Sequence, residues 1–371
     1  MHIVSIYPYM IERVCIVERE NKFRKFKFKS NPSCRCNCCG FCCPCPCKPP
    51  FTPPFIPEPP TPPCHFLVYV TDAGQLVTPD NMVSVIDTAT NTIVATIPVG
   101  TAPLEVAITP NGEFGYVPAL FSNNVTVFNT ATNAVVATIP VGLEPLGVAI
   151  SPDGTLVYVS NHGLGANSVS VISTATNTVI ATIPVGLQPQ GIAFTPNGAF
   201  AYVANENSNS VSVINTATNT VVATIPVGLR PRSIVFTPSG QFAYVTNESS
   251  NTVSVIEVAT NTVFTTIPVG TGPVGTAITP NGIFVYIVNK GSNTVSVIST
   301  LTNLVIATIP VGLSPDQVTI LPDGTLAYVT NQLDNTVSVI DIETNTVIDT
   351  IPGFNGPTGI KTGTICLTSE F

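Results

Sequence analysis

The sequence predicts an all-β chain built from seven copies of one four-stranded antiparallel unit closed into a ring. Three observations predict it: a repeat, the chemistry inside the repeat, and two ends that complete each other. ATIPVG occurs at 95–100, 137–142, 181–186, 223–228 and 307–312, with TTIPVG from Thr265 and DTIPG from Asp349. The isoleucines Ile97, Ile139, Ile183, Ile225, Ile267, Ile309 and Ile351 are separated by steps of 42, 44, 42, 42, 42 and 42 residues. A four-stranded unit of about 40–45 residues has the period of a propeller blade.

Within the unit Pro189 to Gly228, four apolar runs alternate with turn residues. Gly191 to Phe194 is the first run, and Thr195-Pro196-Asn197-Gly198 supplies the Pro and Gly of a tight hairpin turn. Phe200 to Val203 follows, then the polar loop Asn205 to Ser210 and the third run Val211-Ser212-Val213-Ile214. Thr216-Ala217-Thr218-Asn219 is a second turn before the fourth run, Thr220 to Val227. Valine, isoleucine and threonine dominate these runs because a branched Cβ suits a pleated surface and loses rotamer freedom in a helix. The proline of TIPVG belongs to the outermost strand, an edge that needs no further ladder partner and where proline discourages edge-to-edge pairing.

The ends predict closure. The first unit begins at Phe66-Leu67-Val68-Tyr69-Val70, which is a second strand, so the first strand is missing. Past Ile351 the chain runs into Gly356-Pro357-Thr358-Gly359-Ile360-Lys361, whose Pro-x-Gly opens a first strand elsewhere. The C-terminus therefore supplies the innermost strand of the first blade, giving seven full blades. An open β-solenoid is the alternative architecture, and it leaves the complementary ends unexplained.

The second runs read Val68-Tyr69-Val70-Thr71-Asp72, Val157-Tyr158-Val159-Ser160-Asn161, Ala201-Tyr202-Val203-Ala204-Asn205, Ala243-Tyr244-Val245-Thr246-Asn247, Val285-Tyr286-Ile287-Val288-Asn289 and Ala327-Tyr328-Val329-Thr330-Asn331. With SPDG or TPNG before them and VSVI-x-TATNT after them, they resemble the YVTN family of β-propeller repeats. Gly115-Tyr116-Val117-Pro118-Ala119 departs from the pattern, which puts the loop of the second blade in question. The resemblance implies the propeller fold and a surface-layer or cell-envelope setting. It also implies a fold like that of lactonases and of haem-bearing or quinone-linked dehydrogenase subunits, and fold alone does not choose among these.

Candidate functional residues lie in the loops that flank the two inner strands, which in a propeller gather on one face around the axis. They include Glu105, Glu144, His162, Gln188, Gln190, Glu206, Arg230, Arg232, Glu248, Lys290, Asp316 and Asp334. From these, Arg230, Arg232, Glu144, Asp316 and His162 form a candidate ligand site, the arginines offering bidentate contacts to a carboxylate or phosphate. The plainer reading is a set of solvated loop residues on an otherwise neutral surface. His162, the sole histidine within the repeats, has no visible catalytic partner, and no GxSxG, HExxH, Walker or Rossmann pattern occurs. Asp153 and Asp323 suggest calcium only weakly, because their turns need an Asx oxygen anyway.

Residues 1–64 carry nine basic residues and four acids, a balance of +5, whereas the remainder carries four and 17, a balance of −13. A chain-wide nucleic-acid binder is disfavoured, since basic charge is confined to the tail. The expected organisation is a basic arm (1–33), a Cys-rich segment (34–48), a Pro-rich linker (49–63) and the propeller (64–371), with the Cys/Pro-rich arm disordered. Lys22 to Lys29 alternates basic and aromatic residues, which reads as an anion-binding stretch or as an edge strand of period two. Cys34, Cys36, Cys38, Cys39, Cys42, Cys43, Cys45 and Cys47 are too close together for comfortable internal disulfides, so intermolecular cross-links to copies of the chain or to other surface or coat proteins are expected. A thiolate-bound metal is the alternative, and no other cofactor is predicted. Cys64 and Cys366 flank the ends that meet and form a candidate ring-closing disulfide.

No apolar run reaches the roughly 18 residues of a spanning helix, and Met1 to Ile11 lacks a basic start and runs into Glu12 and Arg13, unlike a secretory leader. Together these features predict a non-enzymatic structural, display or binding protein at a cell or spore surface. The alternative is a lactonase-like hydrolase or a metal-binding, redox-associated propeller subunit.

Overall fold

The computed structural model describes residues 14–19, 22–27, 64–75 and 78–366. The chain divides into two units, Met1–Pro60 and Thr61–Phe371. In the first, Val14–Arg19 pairs antiparallel with Lys22–Lys27. The basic-aromatic alternation is therefore strand periodicity, with a partner in the same chain.

The second unit is a ring of seven four-stranded antiparallel sheets, each a meander from the axis outward. Pro357–Cys366 is the innermost strand of blade 1, beside Cys64–Gln75, Thr78–Asp87 and Thr92–Pro98. The solenoid is thereby excluded. Blades 2 to 7 follow in chain order, beginning at Ala107, Pro145, Pro189, Pro231, Pro273 and Pro315. The second and third strands are buried on both faces, whereas the outer strand is mostly exposed. Seven apolar clusters hold the ring, each shared by adjacent blades. The cluster at the seam joins Val68, Val70 and Ile86 of blade 1 to Tyr328, Val337 and Val339 of blade 7, with Ile360 from the closing strand.

Blade 2 is where the fold departs from its neighbours. Its innermost strand shrinks to Ala107–Ile108 plus one bridge, Pro103 to Ala119. Pro118 in the adjoining strand has no N–H to give the ladder. The third strand carries Phe128 where other blades carry isoleucine, and Gly115 opposite makes room, because a Cβ there would lie 2.1 Å from the Phe128 ring.

The repeated tyrosine and the TATN asparagine form a latch between blades. The Tyr116, Tyr158, Tyr244, Tyr286 and Tyr328 hydroxyls donate to Asn177, Asn219, Asn303, Asn345 and Asn91 at 2.7–2.9 Å, and Tyr202 donates likewise to Asn261. Each acceptor sits in the left-handed region, for example Asn345 at φ 54°, which asparagine tolerates better than most residues. The seventh latch is open: the Tyr69 hydroxyl and the Asn133 side-chain oxygen are both buried without a partner. Tyr69 instead packs on Phe128, ring centroids 5.4 Å apart. Tyr286→Phe is expected to cost about 1 kcal/mol in urea melts, and Tyr69→Phe, which removes an unpaired buried hydroxyl, to add about 1 kcal/mol.

Asp72 stands at the seam where most other blades have asparagine. Its carboxylate accepts from Ser84 Oγ at 2.6 Å and from the Asn355 N–H at 3.1 Å. Burial nevertheless dominates and pushes its pKa up to about 6. With the folded pKa above the unfolded value, this group's stabilisation is full below about pH 4 and is lost as pH rises through about 6. Asp72→Asn keeps an acceptor oxygen for the Asn355 N–H and reverses the other bond, its Nδ2 donating to Ser84 Oγ as Asn331 Nδ2 donates to Ser338 Oγ, without the charge. It is expected to add about 1–2 kcal/mol at pH 7.5 and little at pH 4.5, measured by thermal melts at the two pH values.

Candidate functional site

One rule of the fold builds the axial mouth. The residue before each inner-strand proline is Ala102, Glu144, Gln188, Arg230, Gly272, Ser314 or Gly356, and all have φ between 49° and 63°. In six blades its N–H donates to an asparagine 21 residues earlier, such as Arg230 to Asn209 at 2.9 Å and Glu144 to Asn123 at 2.8 Å. The asparagine helps hold the left-handed turn, which leaves the side chain at that position free to vary. The residue after the proline is Leu104, Leu146, Gln190, Arg232, Val274, Asp316 or Thr358, and these seven ring the throat.

Two adjoining cavities result. A mouth of about 600 Å³ is lined by Glu144, His162, Gln188, Gln190, Glu206, Arg230 and Arg232 among others. Below it a throat of about 120 Å³ contains Glu105, Arg232, Lys290, Asp316, Gln317 and Gln332. Leu104, Leu146, Gln190 and Arg232 belong to both. Beyond Glu105 the channel continues as a far cavity of about 510 Å³ that includes Lys361.

At the mouth, Glu206 is the hub. Its Oε1 accepts from Arg230 Nε at 2.8 Å and also from Arg230 Nη2, while its Oε2 accepts from Arg232 Nη1 at 3.3 Å and from Gln190 Nε2. Glu248 Oε2 lies 3.6 Å from both guanidinium groups. Burial raises the Glu206 pKa, but Arg232, Arg230 and Gln190 together outweigh it and hold the carboxylate ionised. Gln190 Nε2 is also 3.3 Å from His162 Nδ1. Burial lowers the pKa of His162 despite the opposing charge of Glu206, so the ring is neutral at pH 7.

In the throat, Lys290 Nζ donates to Asp316 Oδ1 at 2.7 Å and to Gln332 Oε1 at 3.0 Å. Burial raises the Asp316 pKa, and Lys290 more than reverses it. Glu105 accepts from Gln317 Nε2 at 3.2 Å. It keeps some surface toward the channel, yet protein surrounds it, and burial, aided by the charge of Asp316, carries its pKa up to about 7 against the lowering effects of the Val148 N–H, Lys361 and Arg232. Lys361 likewise keeps surface toward the open channel, while desolvation lowers its pKa against the raising effect of Glu105. Glu105, with its pKa near neutrality, therefore lines the same throat as the guanidinium of Arg232, an arrangement suited to general base catalysis.

The sequence-derived set is thus partly gathered. Arg230, Arg232, Glu144 and His162 share the mouth, whereas Asp316 lies in the throat with Lys290. The arginine pair is engaged by Glu206 and Glu248 rather than standing open for a bidentate ligand. Glu105 is among the candidate loop residues but outside the ligand site expected from sequence, though it carries a further signal: it replaces the glycine of Pro-x-Gly found at Gly147, Gly191, Gly275 and Gly359. Asp153 accepts from Ser151 Oγ and the Thr155 N–H, and Asp323 from the Thr325 N–H, the Asx-turn bonds expected of them. Cys34, Cys36, Cys38, Cys39, Cys42, Cys43, Cys45 and Cys47 lie outside the described residues.

The family model described as "Lactonase, 7-bladed beta-propeller" matches residues 95–224 and 216–348, more than half of the chain. No curated protein matches. Among solved structures, hydrazine synthase of Kuenenia stuttgartiensis is 25% identical over 70% of this chain and 89% of its own, with TM-score 0.66. A functionally unknown protein from Desulfotomaculum acetoxidans is 22% identical, covering 80% of this chain and 98% of its own at TM-score 0.71. A putative 6-phosphogluconolactonase from Bacteroides fragilis is 17% identical with the same coverage and TM-score 0.68, a likeness that carries the fold alone. The family match overturns the expectation of a non-enzymatic chain. That expectation weighed the missing catalytic motifs and overlooked how the loop residues that differ between blades converge on one mouth. The chain belongs to the seven-bladed β-propeller lactonase family.

Proposed function

We propose that the chain hydrolyses a small lactone bearing an anionic substituent, at the throat of the axial mouth. The observation that carries this reading is Arg232, which faces both cavities beside Glu105, a carboxyl with a pKa of about 7. In this reading Glu105 takes a proton from water in the throat and the hydroxide adds to the lactone carbonyl. Arg232 balances the charge that develops on the carbonyl oxygen. When the ring C–O bond breaks, Glu105 returns the proton to the departing alkoxide, and a hydroxy acid leaves. Arg230, whose side chain is 48% exposed, presents its outer edge to the anionic substituent. The phosphorylated sugar lactone implied by the name of the Bacteroides fragilis protein is of this class.

The test is proton release at constant pH from a panel of phosphorylated and neutral lactones. Phosphorylated substrates are expected to be hydrolysed with the higher kcat/KM, the advantage shrinking with added salt. Hydrolysis of every lactone at the buffer rate would end the proposal.

The cysteine-rich arm and the YVTN-like strands support a setting as well as a reaction. In that setting the ring is attached through intermolecular disulfides, to copies of itself or to coat proteins, at a cell or spore surface. Disulfide-linked species that collapse to monomer on reducing gels are the expected result. A monomer that runs identically with and without reductant, or a stoichiometric metal on the arm by elemental analysis, would contradict it.

A further inference from the structure

Every blade but the first is continuous in the chain, and the first is joined only by pairing between strands from opposite ends. The register of that pairing sets Cys64 directly opposite Cys366, the outermost pair of a run that continues through Phe66 with Thr364 and Val68 with Thr362. Directly opposed residues of an antiparallel pair have Cα atoms about 4.5 or 5.5 Å apart, according to hydrogen-bonding position, with their Cβ atoms on one side of the sheet. Both separations fall in the window of about 4.4–6.8 Å that a disulfide accepts. A register slip of one residue would place the two positions on opposite faces and forbid the bond.

We propose that Cys64 and Cys366 form a disulfide that closes the ring covalently. In the reaction a thiolate of one cysteine attacks a low-molecular-weight disulfide such as oxidised glutathione and releases one thiol. The second cysteine then attacks the mixed disulfide and releases the other. The protein loses two S–H protons and two electrons, the glutathione disulfide gains them to become two glutathione thiols, and the Sγ–Sγ bond forms. The bond spans nearly the whole ring, so it restricts the unfolded chain over a long loop, the case in which a cross-link has most to contribute. It requires no lactonase activity and stands whether or not the throat is catalytic.

The experiment uses the full chain equilibrated with oxidised glutathione, its remaining thiols alkylated, digested with pepsin without reductant and analysed by mass spectrometry. The expected product is a peptide containing Cys64 joined to one containing Cys366, lighter by two hydrogens than their sum. Reductant is expected to lower the melting temperature of the wild type by about 5 °C. It is expected to leave Cys366→Ser unchanged, while Cys36→Ser behaves as wild type. Recovery of both cysteines alkylated, or of Cys366 joined to an arm cysteine, would overturn the proposal. So would a reductant effect that persists in Cys366→Ser.

Discussion

Replacing Glu105 with glutamine is expected to lower kcat for lactone hydrolysis by about 10²–10⁴-fold while KM changes by less than about threefold. Glutamine has the same shape and can still accept from Gln317, so the throat keeps its form. What is lost is the oxygen that accepts a proton from water. Binding of the anionic substituent in the mouth relies on another group, the outer edge of Arg230, so a loss of kcat with KM preserved separates a base from a binding residue. Stability is expected to move the other way. The folded pKa of Glu105 lies above its unfolded value, so its stabilisation is full at low pH and is lost as pH rises through about 7. Above that pH the wild type carries a penalised charge, and Glu105→Gln is expected to melt higher than wild type there. A residue retained for packing alone would show neither the selective loss of kcat nor this reversal.

Deleting Pro357–Phe371 is expected to abolish the cooperative unfolding transition of the ring. The closing strand contributes Ile360 to the cluster shared by blades 7 and 1, where it is 6% exposed. Its Thr358 hydroxyl bonds Thr71 Oγ1 at 3.0 Å, and the Gly359 N–H donates to Thr71 Oγ1 at 2.8 Å. Gly359 also lets the inner strands meet, since a Cβ there would lie 2.5 Å from the Glu105 Cα. Removing the strand unpairs the inner edge of Cys64–Gln75 and wets an apolar layer that otherwise joins the first blade to the last. A loss on the order of the 5–15 kcal/mol available to a whole domain is expected. Circular dichroism through a urea titration should show a broad, non-cooperative change, with binding of a hydrophobic dye in buffer alone. A sharp transition at the wild-type midpoint would mean that the blades stand without closure.

The fold was legible in the sequence because its determinants are local and repeated. Branched residues at period two mark the strands, the PNG and TATN turns mark the hairpins, and the step of 42 residues marks the blade. Even closure could be read, since Phe66–Val70 lacks a partner of the Gly356–Lys361 type and finds it at the other end. The site was legible only as a list of loop residues. Which of them meet depends on contacts between blades, and no spacing along the chain encodes that Glu206 sits between Arg230 and Arg232. The emphasis on the two arginines as open anion ligands missed their carboxylate partners for this reason. Glu105 shows what the repeat does reveal: where six units carry glycine, serine or glutamine, one carries an acid at the axis. The open latch at Tyr69 was hidden as well, because it follows from Phe128 and Gly115 in the neighbouring blade.

The central claim is that the throat hydrolyses lactones with Glu105 as base, and the pH dependence of kcat/KM for a phosphorylated lactone tests it most directly. Wild type is expected to show a rate that rises tenfold per pH unit below neutrality and levels off above an apparent pKa of about 7, a limb absent from Glu105→Gln. A profile that is flat from pH 5 to 9, or one that Glu105→Gln reproduces in full, would contradict it.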